Sequence, residues 1–243
     1  MAPIKYSAVR RFGVILPSVN TVLEPELAGL GLRDVTFHVA RVRSERGSDE
    51  AVLRRMAADA PLAALLLSDV RPERIIYACT SGSLVGGPGY DQEIARAISA
   101  RTSVPASTTA TEVLRAFALL GVRSIGVGTP YLDWVTQAEA RFFEAAGYNV
   151  VATASLGLID GHDMAALLPV DVAKLARAVD GPAAEAIFLS CTDLPTLGTL
   201  ARLERELGKP VVSSNLATVR GLVGERADLS RLGRLFSMPM SSL

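Results

Sequence analysis

Along the chain, short runs of apolar residues alternate with longer stretches in which apolar positions recur with a helical period. A parallel sheet covered by helices produces that alternation, so the pattern predicts an α/β fold. Strands are expected at about 12–16, 35–42, 74–78, 104–106, 124–128, 149–152, 186–190 and 211–213. Between them, 49–67 carries the 3.6-residue apolar period of a helix. The segments 109–120 and 132–146 run up to Gly121 and Gly147, which can take the left-handed conformation that closes a helix.

The pattern also repeats. Gly13, in Phe-Gly-Val-Ile-Leu-Pro, precedes Cys79 by nearly the same distance as Gly126, in Ile-Gly-Val-Gly-Thr-Pro, precedes Cys191. Both cysteines end an apolar run and are followed by Thr, and 104–111 resembles 209–218, each a short strand running into small hydroxyl residues. Four matches in one order point to duplication. The expected architecture is two similar α/β halves with parallel sheets related by a pseudo-twofold, the active site lying in the cleft between them. The halves are expected at 1–120 and 121–243, with a C-terminal segment that can cross back to the first.

Composition narrows the function. The 25 Lys+Arg balance the 25 Asp+Glu, so nothing favours a polyanion, and no nucleic-acid partner is expected. With 243 residues, 49% of them hydrophobic, the chain can bury a sizeable core. The longest apolar run, 60–67, is far short of the roughly 18 residues of a membrane span, so no membrane partner is expected either. Pro17, Ser18 and Asn20 interrupt the first apolar run before it reaches signal-peptide length, and a soluble, cytoplasmic protein, assembled as a homo-oligomer, is the expectation. The two cysteines and two histidines show no metal-site spacing.

In an open parallel sheet a ligand lies beyond the carboxyl ends of the strands, so residues just after each run carry the chemistry. They are Pro17, Ser18 and Asn20; Cys79, Thr80, Ser81 and Ser83; Thr129 and Tyr131; Cys191, Thr192 and Asp193; and Ser213, Ser214 and Asn215. None is Lys or Arg. Hydroxyls, amides and helix N-termini still bind a small carboxylate, whereas the glycines at 82–89 and 126–128 match no phosphate or dinucleotide fingerprint and read as tight turns. Cys79 and Cys191 both fall where a strand should turn into a helix, a position that lowers a thiol pKa, and facing turns would put one thiol on each side of a substrate. The plain alternative is two small buried side chains. A disulfide is disfavoured in a cytosolic enzyme.

Other residues have structural readings of similar weight. Asn20 can cap a helix starting near Thr21, and Asp193-Leu194-Pro195 has the form of an N-cap with an early proline. Tyr131 can be a core aromatic at a helix start. His162 lies in a turn-like loop, and His38 in a strand reads as a satisfied core residue. Arg202, Glu204, Arg205 and Glu206 look like a solvated helix face.

The motifs Pro17-Ser18-Val19-Asn20-Thr21 with Glu24-Pro25-Glu26, Tyr77-Ala78-Cys79-Thr80-Ser81-Gly82-Ser83, Thr129-Pro130-Tyr131, Leu189-Ser190-Cys191-Thr192-Asp193-Leu194 and Lys209-Pro210-Val211-Val212-Ser213-Ser214-Asn215 follow one another over nearly the whole chain. In them the chain resembles the aspartate/glutamate racemase superfamily, and within it the maleate cis-trans isomerases. The resemblance implies a cofactor-independent isomerase acting on a small dicarboxylate, converting maleate to fumarate. Cys79 would attack one alkene carbon and Cys191 would handle a proton on the opposite side. Asn20 and Tyr131 would bind a substrate carboxylate, with Ser18, Thr80, Ser81 and Thr192 completing the polar shell. No metal, nucleotide or pyridoxal phosphate is implied.

Two departures bear on the branch. Maleate isomerases carry an Asn in the segment that matches 160–163, where this chain has Gly161 and His162, so maleate is expected either to bind weakly or to be replaced by a relative with a different distal group, with His162 supplying the donor. Arylmalonate decarboxylases lack the first cysteine, so Cys79 argues against their chemistry. A two-cysteine amino-acid or hydroxy-acid racemase, an ectoine-utilisation protein and a non-catalytic acid-binding protein remain alternatives.

Overall fold

The computed structural model describes residues 6–45 and 49–238. The chain runs through β1 (Arg10–Pro17), α1 (Leu23–Gly29), β2 (Val35–Val42), α2 (Glu50–Ser68), β3 (Ile75–Tyr77), α3 (Thr80–Leu84), α4 (Tyr90–Thr102), β4 (Ala106–Thr108) and α5 (Thr109–Leu120). It continues through β5 (Ser124–Thr129), α6 (Asp133–Ala145), β6 (Asn149–Ser155), α7 (Gly161–Ala165), α8 (Pro169–Ala178), β7 (Ala186–Leu189), α9 (Leu200–Leu207), β8 (Val211–Ser213) and α10 (Ser214–Val223). Two four-stranded parallel sheets result, ordered β2-β1-β3-β4 and β6-β5-β7-β8. The orders are the same once the second is counted from β5, which bears out the α/β class and the two similar halves.

In each sheet the chain leaves the first strand toward one edge and returns to pair the third strand on the other side. The turns after β1 and β3, and after β5 and β7, therefore lie beside a topological switch point, where an α/β sheet opens a crevice. Asn20, Cys79, Tyr131 and Cys191 sit in those four turns.

The halves share a core. Helix α5 follows the first sheet, yet Phe117 packs edge-on against Phe188 of β7 (5.7 Å between centroids), Phe143 of α6 (5.5 Å) and Tyr148 (5.2 Å). Reciprocally, Arg74 beside β3 donates to the Gly221 carbonyl of α10, and Arg226 pairs with Asp34 at 2.8 Å. The two crossing helices start alike: Thr108 accepts from the Thr111 N–H and Ser213 from the Leu216 N–H, and Thr109 meets Thr218 at 2.8 Å. Gly121 closes α5 in the left-handed conformation, with φ 68°.

Several expectations are corrected. β4 begins two residues later than 104–106, because Pro105 has no N–H to give and only its carbonyl joins the sheet, accepting from Ile75 N–H. Gly126 and Gly128 lie inside β5 rather than in a turn, and a Cβ on Gly126 would strike the Val179 carbonyl beyond α8. His38 is half-buried on edge strand β2 and bonds Thr36 Oγ1 at 3.1 Å, outside the core. Glu204 is buried, accepting the Val211 and Arg234 N–H groups, whereas Arg202 and Glu206 form the expected surface pair. Among the described residues, no helix is long and apolar enough to cross a membrane.

Candidate active site

Strand β3 ends at Tyr77, and Cys79, in an extended conformation, occupies the N-cap of α3. Its carbonyl accepts from the Ser83 N–H and hydroxyl, which fixes the turn. Cys191 follows β7 with φ at 92°, a left-handed conformation that costs a non-glycine residue about 1–3 kcal/mol. One side chain ties the two turns together. Ser214 Oγ, at the start of α10, accepts from the Cys191 N–H at 3.1 Å and from the Thr80 hydroxyl at 2.8 Å. A second link runs through Asn20: its Oδ1 accepts the Val22 and Leu23 N–H groups at the start of α1, and its Nδ2 donates to Thr192 Oγ1 (3.2 Å), which donates to the Ala78 carbonyl (3.1 Å). Asn20 thus caps its own helix, as its sequence position suggests, and reaches the other half as well.

These turns open into a cavity of about 280 Å³. Asn20, Cys79, Thr80, Ser81, Tyr131, His162, Cys191 and Thr192 all line it, as do Val19, Leu53, Met56, Val135, Ile159, Met164 and Asp193. Ser18 does not. It is exposed, and its Oγ accepts from the Ser44 N–H, steadying the segment that brings Ser44 and Glu45 to the cavity rim. Both thiols are free and buried, and Cys191 Sγ lies 3.8 Å from Met164 Sδ. Among the described residues, no three His, Cys, Asp or Glu side chains gather in a way that could hold a metal ion.

Similarity to known proteins agrees with this geometry. Residues 21–236 match the sequence model of the arylmalonate decarboxylase family. The chain belongs to that family. The maleate isomerase of Nocardia farcinica is 28% identical over 219 residues, 86% of this chain and 87% of its own. The arylmalonate decarboxylase of Bordetella bronchiseptica is 31% identical over 235 residues, 91% of each chain. A cysteine-to-serine mutant of the Nocardia farcinica maleate cis-trans isomerase, solved with a covalently bound succinylcysteine intermediate, superposes with a TM-score of 0.88 at 25% identity, over 94% of this chain and 98% of that one. The racemase-like superfamily and its maleate isomerase branch, anticipated from the motifs, are what these relatives support.

Within the family fold, the electrostatics of the two thiols differ from the sequence expectation. Burial pushes the Cys79 thiol up, opposed by the Gly82 N–H and the Tyr77 and Ser81 hydroxyls. Burial also pushes Cys191 up, reinforced by the Asp193 charge and opposed by the Tyr131 hydroxyl and the Asp193 N–H, which lies 3.3 Å from Sγ. Both thiols therefore rest protonated: α3 is five residues long, and its N-terminus does not outweigh desolvation. Nor does a helix follow Cys191. Residues 191–199 form turns, α9 starts at Leu200, and Asp193 instead accepts the Thr21 N–H (2.9 Å) at the head of the other half.

Three contributors escape a reading of the sequence. Tyr77, indistinguishable from any apolar residue of a buried strand, sets its hydroxyl by Cys79. Glu26 accepts from Thr196 N–H, Leu197 N–H and Asn215 Nδ2 at 2.9, 2.8 and 2.6 Å, pinning the 191–199 turns to α1. Glu139 of α6, fully buried, accepts from the Ser190 hydroxyl at 2.8 Å directly behind Cys191, and burial lifts its carboxyl to about 8. Glu26 lies within the Glu24-Pro25-Glu26 motif, so its position is visible in the sequence although its partners are not.

Proposed function

We propose that the protein is a cofactor-independent cis-trans isomerase of a small cis-alkenoic acid of the maleate type, with Cys79 as nucleophile and Cys191 as the opposing acid and base. The observation that carries this reading is the opening of two thiol turns into one cavity, each thiol beside a tyrosine hydroxyl and both turns held by Ser214. The solved relative with a covalent succinylcysteine supports the same chemistry. In the step that follows, the Cys79 S–H bond and the alkene π bond give way to a C–S and a C–H bond, Cys191 relaying the proton to the second carbon. The resulting carbon–carbon bond is single and turns. Return of the proton and departure of sulfur restore the alkene in its trans form and the thiol in its original state. Tyr131 and the Asn20 amide serve the carboxylate on which charge builds during addition.

Nuclear magnetic resonance of the parent protein with maleate, and separately with its half-amide, tests the reading. The trans product is expected from at least one of them, and none from Cys79→Ser. Absence of both products, together with loss of optical activity from a chiral amino or hydroxy acid, would replace this reading with a two-base racemase using the same thiols.

A further inference from the structure

Most ionisable groups at the cavity are already spoken for. Glu45 is exposed at the rim and pairs with Arg55 at 2.9 Å. Asp160 accepts the His162 N–H at 2.9 Å and caps α7. Asp193 is different: it is buried, it lines the cavity, and Oδ1 is anchored by the Thr21 N–H. Its Oδ2 lies 2.7 Å from where a Cβ on Gly161 would stand, with Val19 Cγ2 at 3.1 Å from the same point. The carboxyl thus fills the flank that any side chain at 161 would need. An acceptor occupies this wall, and no Lys or Arg among the described residues lines the cavity to offset it.

We infer that Asp193 sets the charge of the substrate, so that the cavity takes a cis-alkenoic acid with one carboxylate and an uncharged, hydrogen-bond-donating far group, such as a half-amide, in preference to a dianion. The inference rests on the isomerase reading and narrows its substrate class. An Asp193 carboxylate accepts an amide N–H and repels a second carboxylate, so attraction and rejection come from one atom pair. The charged and titratable groups that face it are His162 from α7, Arg41 from β2, and the Cys79 and Cys191 thiols. Arg41 is committed to the Asn20 carbonyl at 2.7 Å and to Glu24 at 2.7 Å. Burial holds the Asp193 carboxyl at about 6, so it is ionised at pH 8. Of the other lining residues, Leu53, Met56, Val135 and Met164 are apolar and offer nothing to a second charge.

Binding of saturated analogues separates this inference from turnover. Calorimetric titration at pH 8 should show the parent protein binding succinamate at least about tenfold more tightly than succinate, the discrimination worth one charge-assisted hydrogen bond. Asp193→Asn, which keeps an oxygen for the Thr21 N–H, should bring the two within about threefold. Equal or tighter binding of succinate by the parent, no binding of either analogue, or an unchanged preference in the variant would each overturn the inference. The parent comparison decides by itself if the variant does not fold. Turnover of neither maleate nor its half-amide would defeat the isomerase reading, and the binding comparison would then still decide for or against charge selection by Asp193.

Discussion

The Cys79 turn and the Cys191 turn occupy equivalent places, each after the third strand of its sheet, yet they prepare their thiols differently. Cys79 has relaxed extended geometry, a helix ahead of it, and the Gly82 N–H with the Tyr77 and Ser81 hydroxyls around its sulfur. Cys191 has a left-handed backbone, no helix ahead, and the Asp193 carboxylate as the second-largest influence on its sulfur after burial, against the Tyr131 hydroxyl and the Asp193 N–H, whereas at Cys79 the same carboxylate comes last. Donors around a sulfur favour the thiolate, and a neighbouring carboxylate favours the thiol. Duplication therefore supplied two equivalent positions, and under the proposed isomerase reading their surroundings suit one to attack carbon and the other to hold a proton.

Removing the thiols should break that comparison most visibly. Cys79→Ala is expected to lower turnover by at least about a thousandfold, as loss of a covalent nucleophile does, measured as trans product formed per unit time. Cys191→Ala should lower turnover comparably. Survival of more than a tenth of the activity in either variant would mean that the thiol is not part of the chemistry.

Next in size is the buried carboxyl behind Cys191. The Glu139 carboxyl lies at about 8, above the 4.5 of a free glutamate. The folded protein thus keeps a proton that the unfolded chain releases, and stability falls as pH rises from about 4.5 to 8, by on the order of a few kcal/mol. Glu139→Gln should flatten this decline in denaturant unfolding followed across that window. Parallel pH profiles for parent and variant would show that the group does not titrate in this way.

Ser214→Ala probes what the two turns share. It strands the Cys191 N–H and the Thr80 hydroxyl, and a loss of about 1–3 kcal/mol in unfolding free energy is expected, with alkylation of both thiols altered together. Tyr77→Phe sharpens the contrast instead. By removing the hydroxyl that lies beside the Cys79 sulfur, it should slow alkylation of Cys79 and leave Cys191 unchanged. Equal slowing at both thiols would contradict the separate environments.

What the sequence disclosed was local in origin. β2 and β8 match their expected limits because turn residues bound both apolar runs, and α5 matches because Thr108 and Gly121 mark its ends. The cysteines, Asn20 and Tyr131 were legible because strand ends in this topology converge on one crevice. The role of Asp193 was hidden because Asp-Leu-Pro resembles a helix start, while its actual partner, Thr21, lies 172 residues away. The thiol pKa values were hidden for the same reason: a helix N-terminus is visible in sequence, but the burial that overrides it comes from α2, α7 and the opposite half.

The division of labour between the thiols is tested most directly by intact-mass spectrometry of Cys191→Ala incubated with maleate and with its half-amide, followed by peptide mapping. With Cys191 gone, the proton for addition must come from water and no base remains to take it back, so an adduct of one acid molecule should accumulate on Cys79 and be absent from Cys79→Ala. An unmodified protein with both acids, or an adduct of the parent protein found on Cys191 instead, would contradict the assignment of Cys79 as nucleophile.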